Sequence, residues 1–165
     1  MIGLAVYPGS FDPPTLGHLS LVARGLTLFD RLVVAVAHNS TKVTLFSLEE
    51  RLGLLRESLA GYELEQVEVD SFEGLSVEYA HRRQAMALLR GLRGSSDFEY
   101  EFKLALANHH LAPGLESVFL MTDHRWLYLS STLVKEVAAH GADITTLVPP
   151  PVVRALQAKF PHKVL

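Results

Sequence analysis

The sequence has no cysteine among its 165 residues, which excludes disulfides, thiolate metal ligands and thiol nucleophiles. It also lacks an excess of positive charge: fifteen Lys and Arg against eighteen Asp and Glu give a formal charge of −3. That argues against broad nucleic-acid binding but leaves room for a local cationic pocket around a phosphate. No uncharged apolar run reaches the length of a membrane span. The start, MIGLAVYPGSF, shows neither a basic leader nor a cleavage-type end. The expectation is therefore a cytoplasmic protein with no membrane and no nucleic-acid partner. A glycine-rich dinucleotide fingerprint and a lysine-bearing phosphate loop are absent too, which removes the motif support for a nicotinamide-dependent oxidoreductase.

What is present is an ordinary globular composition, 48% hydrophobic and 20% charged, in a chain long enough for one domain over residues 1–165. Apolar, β-branched runs recur at IGLAVY (2–7), RLVVAVAH (31–38), LEQVEVDSF (64–72), AMALLRGL (85–92) and LESVFLMT (115–122). Several are apolar on both faces, as strands covered by helices on both sides must be. Between them, Leu19, Val22, Ala23, Leu26 and Phe29 follow helical spacing. Ser47 with Glu50, and Ser96 with Glu99, stand at capping-box spacing before helical patterns, the first closing at Gly61. VPPPVVRALQAKF reads as a proline-initiated final helix from about 149. Strands alternating with helices predict an α/β fold, a doubly wound parallel five-stranded sheet of Rossmann-like type, with ligands at the carboxyl ends of its strands.

The densest cluster of structure breakers is YPGSFDPPTLGH (7–18), the first strand-to-helix loop on that reading. Gly9 permits close backbone approach, the prolines restrict the loop, and the following helix start offers amides and a favourable dipole to a phosphate. His18, in or near the first helical turn, can donate a hydrogen bond to charge that grows during phosphoryl or nucleotidyl transfer. On position alone it can equally be a surface residue beside a tight turn.

YPGSFDPPTLGH resembles the amino-terminal signature of the bacterial phosphopantetheine adenylyltransferases. Thr15, Gly17 and His18 match the T/H-x-G-H motif of the wider nucleotidyltransferase superfamily. FSLEER (46–51), RGLRGSSDFEYE (90–101), LESVFLMT (115–122) and SSTLVKEVA (130–138) follow in the same order. The resemblance implies adenylyl transfer from ATP to 4'-phosphopantetheine, giving dephospho-coenzyme A and pyrophosphate, by direct attack without a covalent intermediate. It further implies Mg²⁺ bound mainly through the ATP phosphates, coenzyme A as a feedback ligand and a homohexamer.

Residue by residue, the resemblance makes His18 the transition-state stabiliser and Lys42 the holder of the reacting phosphate. It puts Ser10 and Phe11 beside both ligands, and Ser76 and Arg90 on phosphopantetheine. Gly91, Leu92, Arg93, Glu101 and the run Trp126, Leu127, Tyr128, Leu129, Ser130, Ser131 and Thr132 fall on the ATP side. Alternatives stay open for some: Arg93 can simply pair with Asp97 or Glu99, Ser130–Thr132 hydroxyls can be helix caps, and Ser76 stands where relatives carry a larger apolar residue, so its hydroxyl can instead cap the next helix. Glu101 can hold a sugar hydroxyl, a base amine or a metal-bound water. His109 and His110, adjacent on a helix, read as surface or interface rather than metal ligands. Competing functions are another superfamily member, acting on nicotinamide mononucleotide or an alcohol phosphate, and a catalytically silent nucleotide-binding module.

Overall fold

The computed structural model describes residues 2–38, 43–60 and 66–161. Lys42, Gly61 and Leu64 lie outside the described residues. In chain order the elements are β1 (Ile2–Gly9), α1 (Leu16–Gly25), β2 (Phe29–Ala37), α2 (Leu48–Ala60), β3 (Val67–Phe72), α3 (Ser76–Arg82), β4 (Ala87–Leu92), α4 (Ser95–Leu111), β5 (Glu116–Met121), α5 (Ser131–Ala139) and α6 (Pro150–Lys159). The five strands are parallel in the order β3-β2-β1-β4-β5, the doubly wound arrangement expected.

Side chains alternate across this sheet, so each strand contributes to two cores. Ala5, Tyr7, Leu32, Val34, Val36 and Leu89 face α1 and α2, where Leu19, Val22, Leu55 and Leu59 meet them. Val6, Val33, Ala35 and Leu88 face the opposite way, against Val77 and Ala80 of α3. That two-sided covering is why the strands read as continuous apolar runs. A third cluster joins α5 and α6 through Val134, Val152 and Leu156 to Phe46 and Leu54.

Helix starts follow local chemistry in part. Ser47 and Glu50 form the expected capping box: the Ser47 N–H donates to Glu50 Oε2 at 2.8 Å and the Glu50 N–H to Ser47 Oγ at 3.2 Å. The matching reading of Ser96 and Glu99 is corrected. α4 begins at Ser95 with Gly94 as its N-cap, two residues before the expected Ser96, and the glycine makes no side-chain cap bond. Glu99 instead pairs with Lys103 at 2.8 Å along the helix. The sequence spacing is the same, but here an i,i+4 ion pair takes the carboxylate.

The topology also fixes where a ligand can sit. Connections from β1 and β4, neighbours in the centre of the sheet, leave for opposite faces, so their carboxyl ends border a crevice. Close packing under it depends on Gly91, where an added Cβ would stand 2.3 Å from Leu21 Cδ1. Leu21 is buried and has little room to yield. Gly91→Ala is expected to cost about 1–3 kcal/mol, read as a lowered urea midpoint with an unchanged slope; a midpoint equal to the parent's would mean that Leu21 swings away freely.

Candidate active site

Two cavities open at the carboxyl ends of the strands. The first, of about 500 Å³, lies among β1, the loop at residues 10–15, the start of α1, the end of β4, α4 and the segment leading into α5. The second, of about 630 Å³, lies between the ends of β1, β2 and β3, with Phe72, Leu75 and Leu104 as apolar walls. Pro8, Gly9, Ser10 and Arg90 line both. The cavities therefore adjoin at one glycine, one hydroxyl and one guanidinium.

His18 lines the first cavity. Thr15 is the N-cap of α1 and His18 its third helical residue, and the two make a reciprocal capping box. The Thr15 N–H donates to His18 Nδ1 at 3.0 Å, and the His18 N–H reaches Thr15 Oγ1 at 3.4 Å. The ring sits edge-on to Phe11 with centroids 5.1 Å apart. Burial, with the Arg93 guanidinium adding to it, pushes the imidazole pKa down to about 4, so the ring is neutral at ordinary pH. Tyr7, on the same cavity, has its phenol pushed up by burial against the pull of Arg90 and Arg93, and it stays a neutral donor.

Arg90 and Arg93 have different commitments. Arg93 donates from Nε to Asp97 Oδ2 at 2.9 Å and from Nη1 to the Leu129 carbonyl at 3.1 Å, so the Asp97 pairing left open by the sequence does form, and Arg93 still lines the first cavity. Arg90 reaches the Pro8 carbonyl at 3.4 Å, and its Nε lies 3.6 Å from Glu101 Oε2, within ion-pair range but too far for a hydrogen bond. Among the described residues its Nε is the buried side-chain polar atom without a hydrogen-bond partner. A guanidinium so loosely held keeps its donors for an anion at the junction of the cavities.

Gly91, Glu101, Trp126, Leu129, Ser130 and Ser131 join the first cavity, while Leu92, Leu127, Tyr128 and Thr132 line neither. Ser130 does cap α5, accepting from the Leu133 N–H at 3.1 Å, and Ser131 Oγ donates to the Pro13 carbonyl at 2.7 Å. Both hydroxyls are thus engaged by the protein, and what the α5 start offers the cavity is its backbone amides. Ser76 lines the second cavity; it does not cap α3, whose N-cap is Leu75 with no side-chain bond. His109 and His110 are exposed on α4. Among the described residues no group of three or more His, Asp or Glu is arranged to hold a metal, and both carboxylates of the first cavity face arginines.

Sequence reasoning missed the buried charges that hold these loops in place. Asp12, 4% exposed, accepts from the N–H groups of Leu45 and Phe46 at 3.0 and 2.9 Å and from Lys135 Nζ at 2.8 Å. It ties the first loop to the segment before α2 and to α5. Arg51, also buried, donates to the carbonyls of Ser10 at 2.8 Å and Ala37 at 3.2 Å, joining the ends of β1 and β2. A buried cation answered by carbonyls fixes backbone direction, which here sets the rim of both cavities.

The cytidylyltransferase-like family model matches residues 6–137. The chain is 56% identical to the phosphopantetheine adenylyltransferase of Syntrophotalea carbinolica, over 96% of this chain and 94% of that one. It is 55% identical to the enzyme of the same name from Desulforudis audaxviator, over 95% of each. This chain belongs to the phosphopantetheine adenylyltransferases. In fold it is also similar to a bifunctional NMN adenylyltransferase/ADP ribose pyrophosphatase from Francisella tularensis, with a TM-score of 0.72 at 14% identity over 96% of this chain and 49% of that one. At that identity the likeness speaks to the Rossmann-like fold alone. Membership in the family accounts for the order in which the motifs recur along the chain, and the structure adds that Ser10, His18, Ser76, Arg90, Arg93, Glu101 and Ser130 line the two adjoining cavities.

Proposed function

We propose that this chain transfers the adenylyl group of ATP to 4'-phosphopantetheine, forming dephospho-coenzyme A and pyrophosphate. The observation that carries this reading is the junction of two cavities at Gly9, Ser10 and Arg90, which gives two anionic reactants room to meet in line. ATP occupies the first cavity, its phosphates beside His18, Arg93 and the amides at the starts of α1 and α5. The acceptor occupies the second, its arm against Phe72, Leu75 and Leu104 and its phosphate toward Arg90. Lys42, outside the described residues, holds that phosphate by analogy with its place in the family signature. An acceptor phosphate oxygen forms a bond to the α-phosphorus as the bond to the β-phosphate oxygen breaks, and pyrophosphate leaves. The protein supplies position and charge neutralisation, with no nucleophile of its own. Mg²⁺ arrives as part of the nucleotide substrate, on its phosphates, since Asp97 and Glu101 are turned to arginines.

Phe98, Phe102 and Leu106 form an exposed apolar stripe along α4, which favours self-association and agrees with a homohexamer. Coenzyme A, built from both halves of the reaction, would span the joined cavities as a feedback ligand. No helix among the described residues is long and apolar enough to cross a membrane.

The test is pyrophosphate release with ATP, Mg²⁺ and a panel of phosphate acceptors. Release with 4'-phosphopantetheine is expected; product with nicotinamide mononucleotide alone would overturn the assignment. Within that assay, loss of a charge-assisted contact raises KM by about 10- to 100-fold. Arg90→Ala is expected to do so chiefly for the acceptor and Arg93→Ala chiefly for ATP. A reversed pattern would exchange the two cavities.

A further inference from the structure

We infer that Thr15 is a positioning residue whose backbone N–H fixes the tautomer of His18 and whose hydroxyl steadies the ring, so that the ring serves as an uncharged donor from Nε2. The inference deepens the proposed reading, in which His18 faces the α-phosphorus.

The geometry is local and closed. His18 Nδ1 receives the Thr15 N–H at 3.0 Å, and Thr15 Oγ1 stands 3.1 Å from the same nitrogen. A ring nitrogen that accepts an N–H has its lone pair on the donor and carries no proton, so the single proton of the neutral ring sits on Nε2. Protonating Nδ1 would set two N–H groups against each other. Phe11 and Tyr7, with ring centroids 5.1 and 6.4 Å away, limit rotation of the imidazole. No described residue bonds Nε2, and His18 lines the first cavity.

The surroundings explain why an uncharged ring suits the site. The charged and titratable groups around it are Tyr7 of β1, Arg90 and Arg93 at the end of β4, and Asp97, Tyr100 and Glu101 of α4. Two guanidiniums already supply positive charge, and an imidazolium beside them would repel both. A third cation would also grip the ground-state triphosphate, whereas a neutral donor at a fixed point strengthens chiefly as charge builds on the reacting phosphoryl oxygens. The depressed imidazole pKa agrees with the geometry. In capping boxes the third helical residue is usually Glu or Gln; histidine at that position turns a cap into a device for aiming a ring.

The experiment is imidazole ¹⁵N NMR on the full, ligand-free chain labelled at histidine, from pH 5.5 to 8. The His18 signals are assigned by their loss in His18→Gln. Expected for the wild type is a non-titrating ring with a bare Nδ1 and a protonated Nε2. A proton on Nδ1, or a ring titrating near 6.5, would overturn the inference. Thr15→Val, nearly isosteric, keeps the backbone N–H, so Nδ1 should stay bare, while the loss of the hydroxyl that steadies the ring should lower kcat about tenfold with KM for ATP within about twofold. Thr15→Ser should restore kcat. A Thr15→Val protein with the parent's kcat would remove the hydroxyl from the role. If Thr15→Val does not fold, the wild-type and Thr15→Ser spectra still decide the tautomer. Because the spectra need no substrate, they stand even if pyrophosphate assays reject the proposed reaction.

Discussion

With alanine at position 18, kcat is expected to fall by about 10²–10³-fold while KM for ATP changes by less than about threefold. The asymmetry follows from the chemistry. On the proposed reading the triphosphate charge is held before reaction by Arg93 and helix-start amides, which His18→Ala leaves in place. As the acceptor oxygen closes on the α-phosphorus, the charge that gathers on its oxygens is met by the donor at the His18 position, so the loss appears in turnover. Because the ring is already neutral near pH 7, with its pKa down at about 4, lowering the pH to 6 will not boost the parent enzyme by creating an imidazolium. Initial rates of pyrophosphate release, set beside ATP titration calorimetry, separate the two quantities; equal losses in turnover and ATP affinity would take the role away from His18. Removing the ring also leaves the Thr15 N–H without its acceptor, a stability cost of about 1 kcal/mol. A melting curve confirms that this loss is too small to explain the rate.

Asp12→Ala is expected to be the most destabilising single change at the site, by about 2–3 kcal/mol, because it removes a buried carboxylate that answers two backbone amides and the half-buried Lys135 ammonium at once. The carboxylate satisfies Lys135 and two backbone amides at once, and alanine satisfies none. Lys135→Met, which removes the cation while keeping an apolar stem, should cost less. The pH dependence has a definite sign. Burial pushes the Asp12 carboxyl up, but the Lys135 hydrogen bond and the amides of Phe46 and Leu45 outweigh it and hold the pKa below the ordinary value. A depressed folded-state pKa means stability that is present above about pH 4 and lost as pH falls through the folded value. The gap between parent and Asp12→Ala should therefore narrow in acid. Urea unfolding at pH 7 and in acid measures both; a variant within about 1 kcal/mol of the parent at pH 7 would show that the three loops are held by something else.

Short-range patterning made much of this protein legible. Apolar patterning located all five strands: β1, β2 and β4, in the middle of the sheet and covered on both faces, read as continuous apolar runs, whereas the half-buried edge strand β3 reads as the alternation Val67, Glu68, Val69, Asp70. The Ser47–Glu50 pair marked α2, since a capping box is complete within four residues. Local rules also misled when two of them competed for one group: Glu99 could cap or pair with Lys103, and distance along the chain did not say which. The box at Thr15 and His18 went unread as a cap because histidine is an unusual partner in that role, though both residues stood out as part of a motif.

The amino-acid sequence alone determined the class of fold, the family and which loops border the cavities, because hydrophobic period, turn residues and motif order are properties of neighbouring positions. Only the tertiary structure decided that Asp12 meets Lys135 across 123 positions, that Arg51 grips the ends of two strands, that Arg90 borders both cavities, and that the Ser130 and Ser131 hydroxyls are engaged by the protein. Those partnerships depend on which strands become neighbours and where their loops leave the sheet, and nothing in the spacing of residues along a chain encodes the distance between side chains brought together by a crossover.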